Sequence, residues 1–77
     1  MPLYYIDTFD GTAILDDEGT ELADLDAARD HVRVVLTKLM GEEAGIDERS
    51  RCRADVRDAS GRRVLEASLV LTVNSCP

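Results

Sequence analysis

The 77 residues predict an α+β domain of order ββαββ, in which one helix backs a four-stranded, mostly antiparallel sheet. Three observations carry that expectation. Leu25, Ala28, Val32, Val35, Leu36 and Leu39 recur at three- and four-residue spacing, which gathers them into one stripe on a helix. Before them, an aromatic and β-branched run from Leu3 to Phe9 ends at Asp10-Gly11, a dipeptide suited to the positive φ angles of a tight hairpin. After them, two runs alternate apolar and polar residues with period two on either side of Asp58-Ala59-Ser60-Gly61.

Each element has its own local reason. Thr12-Ala13-Ile14-Leu15 is a short return strand behind the first turn, and Asp16-Asp17-Glu18-Gly19-Thr20 reads as a polar turn. Asp24 is placed to cap the helix, with Asp26 in the first turn where the helix dipole favours an acid. The helix is expected from Leu25 to Met40, with Gly41 and the following Glu42–Gly45 stretch marking its end. Cys52, Ala54 and Val56 alternate with Arg51, Arg53, Asp55 and Arg57 to form the third strand. Leu65, Ala67, Leu69, Leu71 and Val73 alternate with Val64, Glu66, Ser68, Val70 and Thr72 to form the fourth.

Composition describes one small globular domain at residues 1–77, 44% apolar and 32% charged. No apolar run reaches the roughly 18–20 residues of a membrane span, and with no basic n-region before a long apolar stretch Met1-Pro2-Leu3 is not expected to begin a signal peptide. The expected location is therefore the cytoplasm, without membrane contact. Formal charge is −7, unevenly spread. Residues 1–30 hold nine acids against Arg29 alone, giving −8, while residues 31–77 hold seven acids against eight bases, giving +1. Within the second half Arg49, Arg51, Arg53, Arg57, Arg62 and Arg63 crowd together.

One helix covers one face of such a sheet. The covered face is expected to take Leu65, Ala67, Leu69, Leu71 and Val73, with Cys52, Ala54 and Val56. On the first strand it takes Tyr4, Ile6 and Thr8, because the opposite register would bury Asp7. The other face then presents Tyr5, Asp7, Phe9, Val64, Val70 and Thr72 beside Arg51, Arg53 and Arg57, an apolar cluster rimmed by arginines. The partner-binding set is Tyr5, Phe9, Arg51, Arg53, Arg57, Val64 and Val70. The expected partner is a second copy of the chain, since a symmetric dimer needs only one such patch, and another protein is the other occupant considered.

The residues argue against a catalytic centre, a metal site or a cofactor. If the Asp58–Gly61 turn pairs Arg57 with Arg62, Cys52 lies opposite Ala67, and Cys76 is roughly 30 Å further along the strand at about 3.3 Å per residue, too far for a disulfide. Cys52 reads as a small buried residue and Cys76 as an exposed thiol. His31, the single histidine, sits on the helix flank with no Cys or second His one turn away, and no serine is placed to form a nucleophile–base pair with it. Asp16-Asp17-Glu18 offers oxygen ligands but lacks EF-hand spacing, and the glycines form no phosphate-binding pattern. A metal-dependent enzyme built on that turn ranks last. The arginine-rich hairpin with Tyr5 and Phe9 resembles sheet surfaces that stack bases, yet a charge of −7 repels polyanions, so nucleic acid is not the expected partner.

The pattern Met1-Pro2-Leu3-Tyr4-Tyr5-Ile6-Asp7, Asp10-Gly11, Asp17-Glu18-Gly19-Thr20-Glu21-Leu22, Asp24-Leu25-Asp26-Ala27-Ala28-Arg29 and Val56-Arg57-Asp58-Ala59-Ser60-Gly61-Arg62 resembles a small, mostly proteobacterial family catalogued as domain of unknown function 6894. The resemblance implies a short bacterial protein and carries over no activity, ligand or catalytic residue. A looser likeness is to antitoxin domains of the HicB type, which also open with a hairpin, an acidic glycine-containing turn and an alanine-rich helix. This sequence is expected to depart from them in having no third strand before the helix and no attached DNA-binding segment. The second functional reading is accordingly a HicB-like antitoxin or nucleic-acid-binding regulator using Arg51, Arg53, Arg57, Arg62 and Arg63. The first is a non-enzymatic interaction protein, homodimeric through the open sheet face or an edge strand.

Overall fold

In the structure, a computed structural model that describes residues 1–42 and 49–77, the elements run β1 (Leu3–Phe9), β2 (Ala13–Ile14), β3 (Thr20–Glu21), α1 (Leu25–Glu42), β4 (Arg49–Arg57) and β5 (Arg63–Thr72). The sheet order is β2-β1-β4-β5, with β3 also paired to β1, and every pairing is antiparallel. The α+β class is as expected, with five strands in place of four. The additional strand begins at the end of the stretch read as a turn. Thr20 pairs with Tyr4 and Glu21 with Leu3, and the Leu22 amide donates to the Pro2 carbonyl at 3.0 Å. A third strand thus precedes the helix, contrary to the expectation that set this chain apart from the HicB-type domains. β2 and β3 share one edge of β1, with β2 on Thr8 and Phe9 and β3 on Leu3 and Tyr4.

The helix begins where its cap predicts. Asp24 Oδ1 accepts from the Ala27 amide at 2.8 Å, and the Asp24 carbonyl takes the first helical bond from Ala28 at 3.1 Å. It runs two residues beyond Met40, so Gly41 lies inside the helix. The polar loop expected after it falls at residues 43–48, outside the described residues. Ala28, Val32 and Leu36 of the predicted stripe are buried, Val35 and Leu39 are half-buried, and Leu25, at the helix start, is exposed.

These helix residues pack on Cys52, Ala54 and Val56, with Tyr4, Ile6, Leu22, Leu65, Ala67 and Leu69 around them. The predicted facing of β1 holds: Ile6 lies opposite Val56 and Thr8 opposite Ala54. The two small alanines at the centre, Ala28 and Ala54, are fully buried, which fits a close approach of helix and sheet.

β5 departs from expectation in three respects. Arg57 pairs with Arg63 rather than Arg62, and a register shift at Val56/Arg57 follows, so Cys52 lies opposite Leu69 and Ala54 opposite Ala67. The two-residue displacement preserves which face each side chain takes, because side chains alternate with period two. Beside the irregularity Val64, expected on the open face, is half-buried and packs against the core. Leu71 and Val73, expected beneath the helix, are 50% and 60% exposed. Leu71 keeps the covered-face parity, opposite Ser50, but the buried cluster extends along β5 only to Leu69. No disulfide joins buried Cys52 to exposed Cys76.

Candidate functional site

On the face away from α1, β1 presents Tyr5, Asp7 and Phe9 directly opposite Arg57, Asp55 and Arg53 of β4. Arg51, Arg53 and Asp55 in turn face Val70, Ser68 and Glu66 of β5. The open face therefore exists as predicted, but its two ends differ.

At the end near Tyr5 the acidic loop folds over the sheet. Arg57 Nε and Nη2 donate to the two Asp7 carboxylate oxygens at 2.8 and 3.0 Å, and Nη2 also donates to the Asp16 carbonyl at 2.9 Å. Asp7 Oδ1 accepts from the Asp16 amide at 3.0 Å. Asp16 completes the arrangement: its Oδ2 accepts from the Ile6 amide at 3.0 Å, and its Oδ1 accepts from the amides of Glu18 and Gly19 at 3.0 and 3.1 Å. The Ile6 amide lies on the edge of β1 between β2 and β3, where no strand meets it, so the carboxylate substitutes for the missing neighbour.

Gly19 then passes close over the sheet. A Cβ there would meet Leu3 Cγ at 2.9 Å and Tyr5 Cε1 at 3.1 Å, and its φ is +78°. Only glycine fits both the approach and the conformation. The Arg57 guanidinium stands 5.1 Å from the Tyr5 ring centre. Tyr5, expected to await a partner, is covered by its own chain.

Electrostatics follow from these contacts. The Arg57 guanidinium hydrogen-bonded to Asp7 holds that carboxyl below its ordinary value of 3.8 against the opposing effect of burial. For Asp16, burial raises the pKa, but the donated amides of Ile6, Gly19 and Glu18 outweigh it and the value is also lowered. Arg57 is raised in turn, chiefly by its bond to Asp7. Groups whose folded-state pKa is depressed stabilise the fold fully above the unfolded value, and that contribution is lost as pH falls through the folded value. The melting temperature is therefore expected to drop steeply below about pH 4. In Asp7→Asn the acid limb should be shallower in a thermal melt series; an identical limb in both proteins would contradict this account.

Across the middle of the face Arg53 donates to Asp55 at 3.2 Å and to Glu66 at 3.3 Å, while Arg63 reaches Asp55 at 3.4 Å and Glu66 at 3.7 Å. Exposed pairs of this kind contribute little stability individually, but they commit both guanidinium groups. Of the predicted partner-binding arginines, Arg53 and Arg57 are so engaged, and Arg51 is exposed without an ion pair among the described residues.

At the far end Phe9 is 51% exposed beside a shallow depression of about 330 Å³ whose lining includes Ala13, Leu15, Arg53 and Asp55. Val70, on the same face, is 44% exposed. The structure thus leaves Phe9, Val70 and Arg51 of the predicted set outward, and turns Tyr5, Arg57 and Val64 to internal contacts. Sequence reasoning missed Leu71 and Val73 as surface residues, and missed Asp16 as the loop's anchor. An Asp followed three residues later by Gly is a turn signal that pointed to the latter.

Both carboxylate oxygens of Asp16 accept from backbone amides, so this side chain is engaged within the loop. Among the described residues no cluster of three or more His, Cys, Asp or Glu is arranged to hold a metal ion, and no helix is long and apolar enough to cross a membrane.

A one-helix α+β domain, with a polar sheet face neutralised from within and apolar residues left outside the core, is the class of protein these features define. The chain belongs to the family described as Domain of unknown function (DUF6894), whose model matches residues 3–70. That span takes in the acidic loop, the helix and most of β5, in agreement with the resemblance carried by the sequence. No curated protein and no solved structure matches the chain.

Proposed function

We propose that this chain is a non-enzymatic interaction module of the bacterial cytoplasm that works as a homodimer. The observation that supports this reading most is the set of large apolar side chains outside the core on the two strands that flank β4: Phe9 on β1, and Val70, Leu71 and, just past its end, Val73 on β5. A domain this small buries only about 60–65% of its unfolded surface, and association is one of the usual supplements to such a core. Several groups that could serve as acid, base or anion clamp are engaged with one another within the chain: Asp7, Asp16 and Arg57 at the loop, Arg53, Asp55, Arg63 and Glu66 across the sheet.

The same engagement weighs against the reading as a HicB-like antitoxin or nucleic-acid-binding regulator. Of Arg51, Arg53, Arg57, Arg62 and Arg63, three already meet carboxylates, and the whole chain carries −7. Light scattering at high micromolar concentration tests the proposal. The expected mass is twice the 8.5 kDa of the chain, little changed by salt; a mass of one chain throughout the concentration range would refute it.

A further inference from the structure

β5 is the outer strand of the sheet, and among the described residues nothing pairs with its outer edge. At ten residues it is the longest strand, whereas the opposite edge of the sheet is formed by the two-residue β2 and β3. Its amino-terminal part carries charge at Arg63 and Glu66, and from Ala67 to Val73 there is none. Nor is there a proline, lysine or inward-turned acid in that stretch, the devices by which proteins blunt an exposed edge. Val70, Thr72 and Val73 within it are residues of high strand propensity.

The stretch also reads almost identically in both directions. About Val70, Leu69 mirrors Leu71, Ser68 mirrors Thr72, and Ala67 mirrors Val73. Antiparallel pairing of two identical strands about a two-fold axis sets each residue against its mirror image, and it keeps both on the same face because the period is two.

We infer that the β5 edge is the dimer interface, with two copies paired antiparallel about a two-fold axis at Val70 to form one continuous sheet. This rests on the reading of the chain as a self-associating module and names the surface it uses. On the helix side Leu69 meets the second copy's Leu71, and Ala67 its Val73, which covers the two apolar side chains that the helix leaves exposed. On the open side Val70 meets its own mirror image and Ser68 meets Thr72. Glu66 falls opposite Asn74, and Arg63 lies beyond the centre of the contact, so no like charges oppose one another despite the charge of −7 on each copy. Recognition is by main-chain hydrogen bonds along the edge, with alternate side chains setting the register.

Two variants of the full chain test this. Val70→Lys places two ammonium groups against each other on the axis while altering a residue that is already 44% exposed. It should remain folded by circular dichroism and dimerise at least about tenfold more weakly. Val70→Cys combined with Cys76→Ser brings two thiols to directly opposed positions, where Cα atoms are about 4.5–5.5 Å apart, within the span of a disulfide. Mild oxidation should convert it to a covalent dimer, and wild type carrying only Cys76→Ser should not crosslink. A parent dimer that is unaffected by Val70→Lys, or that fails to crosslink at position 70, overturns the β5 interface while leaving self-association intact. A parent chain that is monomeric overturns both.

Discussion

Leu36→Ala is expected to leave most molecules unfolded at 25 °C. Leu36 is 4% exposed and belongs to a buried cluster that comprises, among the described residues, three from α1 and three from β4. Truncating a buried leucine costs about 2–5 kcal/mol, through lost transfer free energy and the cavity left behind. A single core in a domain below about 70–80 residues rarely supplies more than about 3–5 kcal/mol of net stability. Loss and reserve are thus of the same size, and the neighbours are poorly placed to close the gap. Ala28 and Ala54 have no side-chain length to extend, and Val32 is held by its branch at Cβ. Urea titration followed by circular dichroism should show little or no native baseline for the variant. Val34→Ala on the exposed side of the same helix should stay within about 0.5 kcal/mol of the parent. Equal midpoints for Leu36→Ala and Val34→Ala would mean that the helix does not sit on the sheet as described.

Asp16→Ala is expected to cost about 2–3 kcal/mol, far more than the acidic run around it suggests. Three amides lose their acceptor at once, and that of Ile6 lies on a stretch of β1 edge where no strand replaces it. Release of Gly19 from its place over Leu3 and Tyr5 would then expose the Tyr5 ring. Asp16→Asn retains one carboxamide oxygen and should fall between parent and alanine variant. Hydrogen exchange offers a local reading that global stability does not: the Ile6 amide should exchange much faster in Asp16→Ala than can be explained by the overall loss of stability, while that of Ala54 tracks the global change. Asp17→Ala, next in the same acidic run, serves as the comparison and should leave the Ile6 amide protected. Unchanged exchange at Ile6 in Asp16→Ala would show that the carboxylate does not occupy the edge.

The same loop marks the boundary between what could be read along the chain and what could not. Asp24 was legible as a helix cap because its partner, the Ala27 amide, is three residues away. The inward facing of Tyr4 and Ile6 followed from one energetic comparison, the cost of burying Asp7 in the opposite register. The role of Asp7 once it faced outward was not legible. Its cation is Arg57, fifty residues later, and nothing local distinguishes that arginine from Arg51 or Arg53 on the same alternating strand. β3 escaped notice for a related reason: two residues carry no periodicity, and Thr20–Glu21 forms a strand only because β1 has a free edge beside it.

The amino-acid order by itself determined the class of fold, the helix with its cap and buried stripe, the alternation of the strands, and the existence of a sheet face without a helix, because each depends on neighbours within a few residues or on a period. Tertiary structure alone decided the order of the strands, the shifted register of β5 and the packing of Val64 against the core beside its irregularity, the self-covering of Tyr5, and the exposure of Leu71 and Val73. Those depend on where distant segments meet and where the packing of the helix ends, quantities that a periodic pattern does not encode.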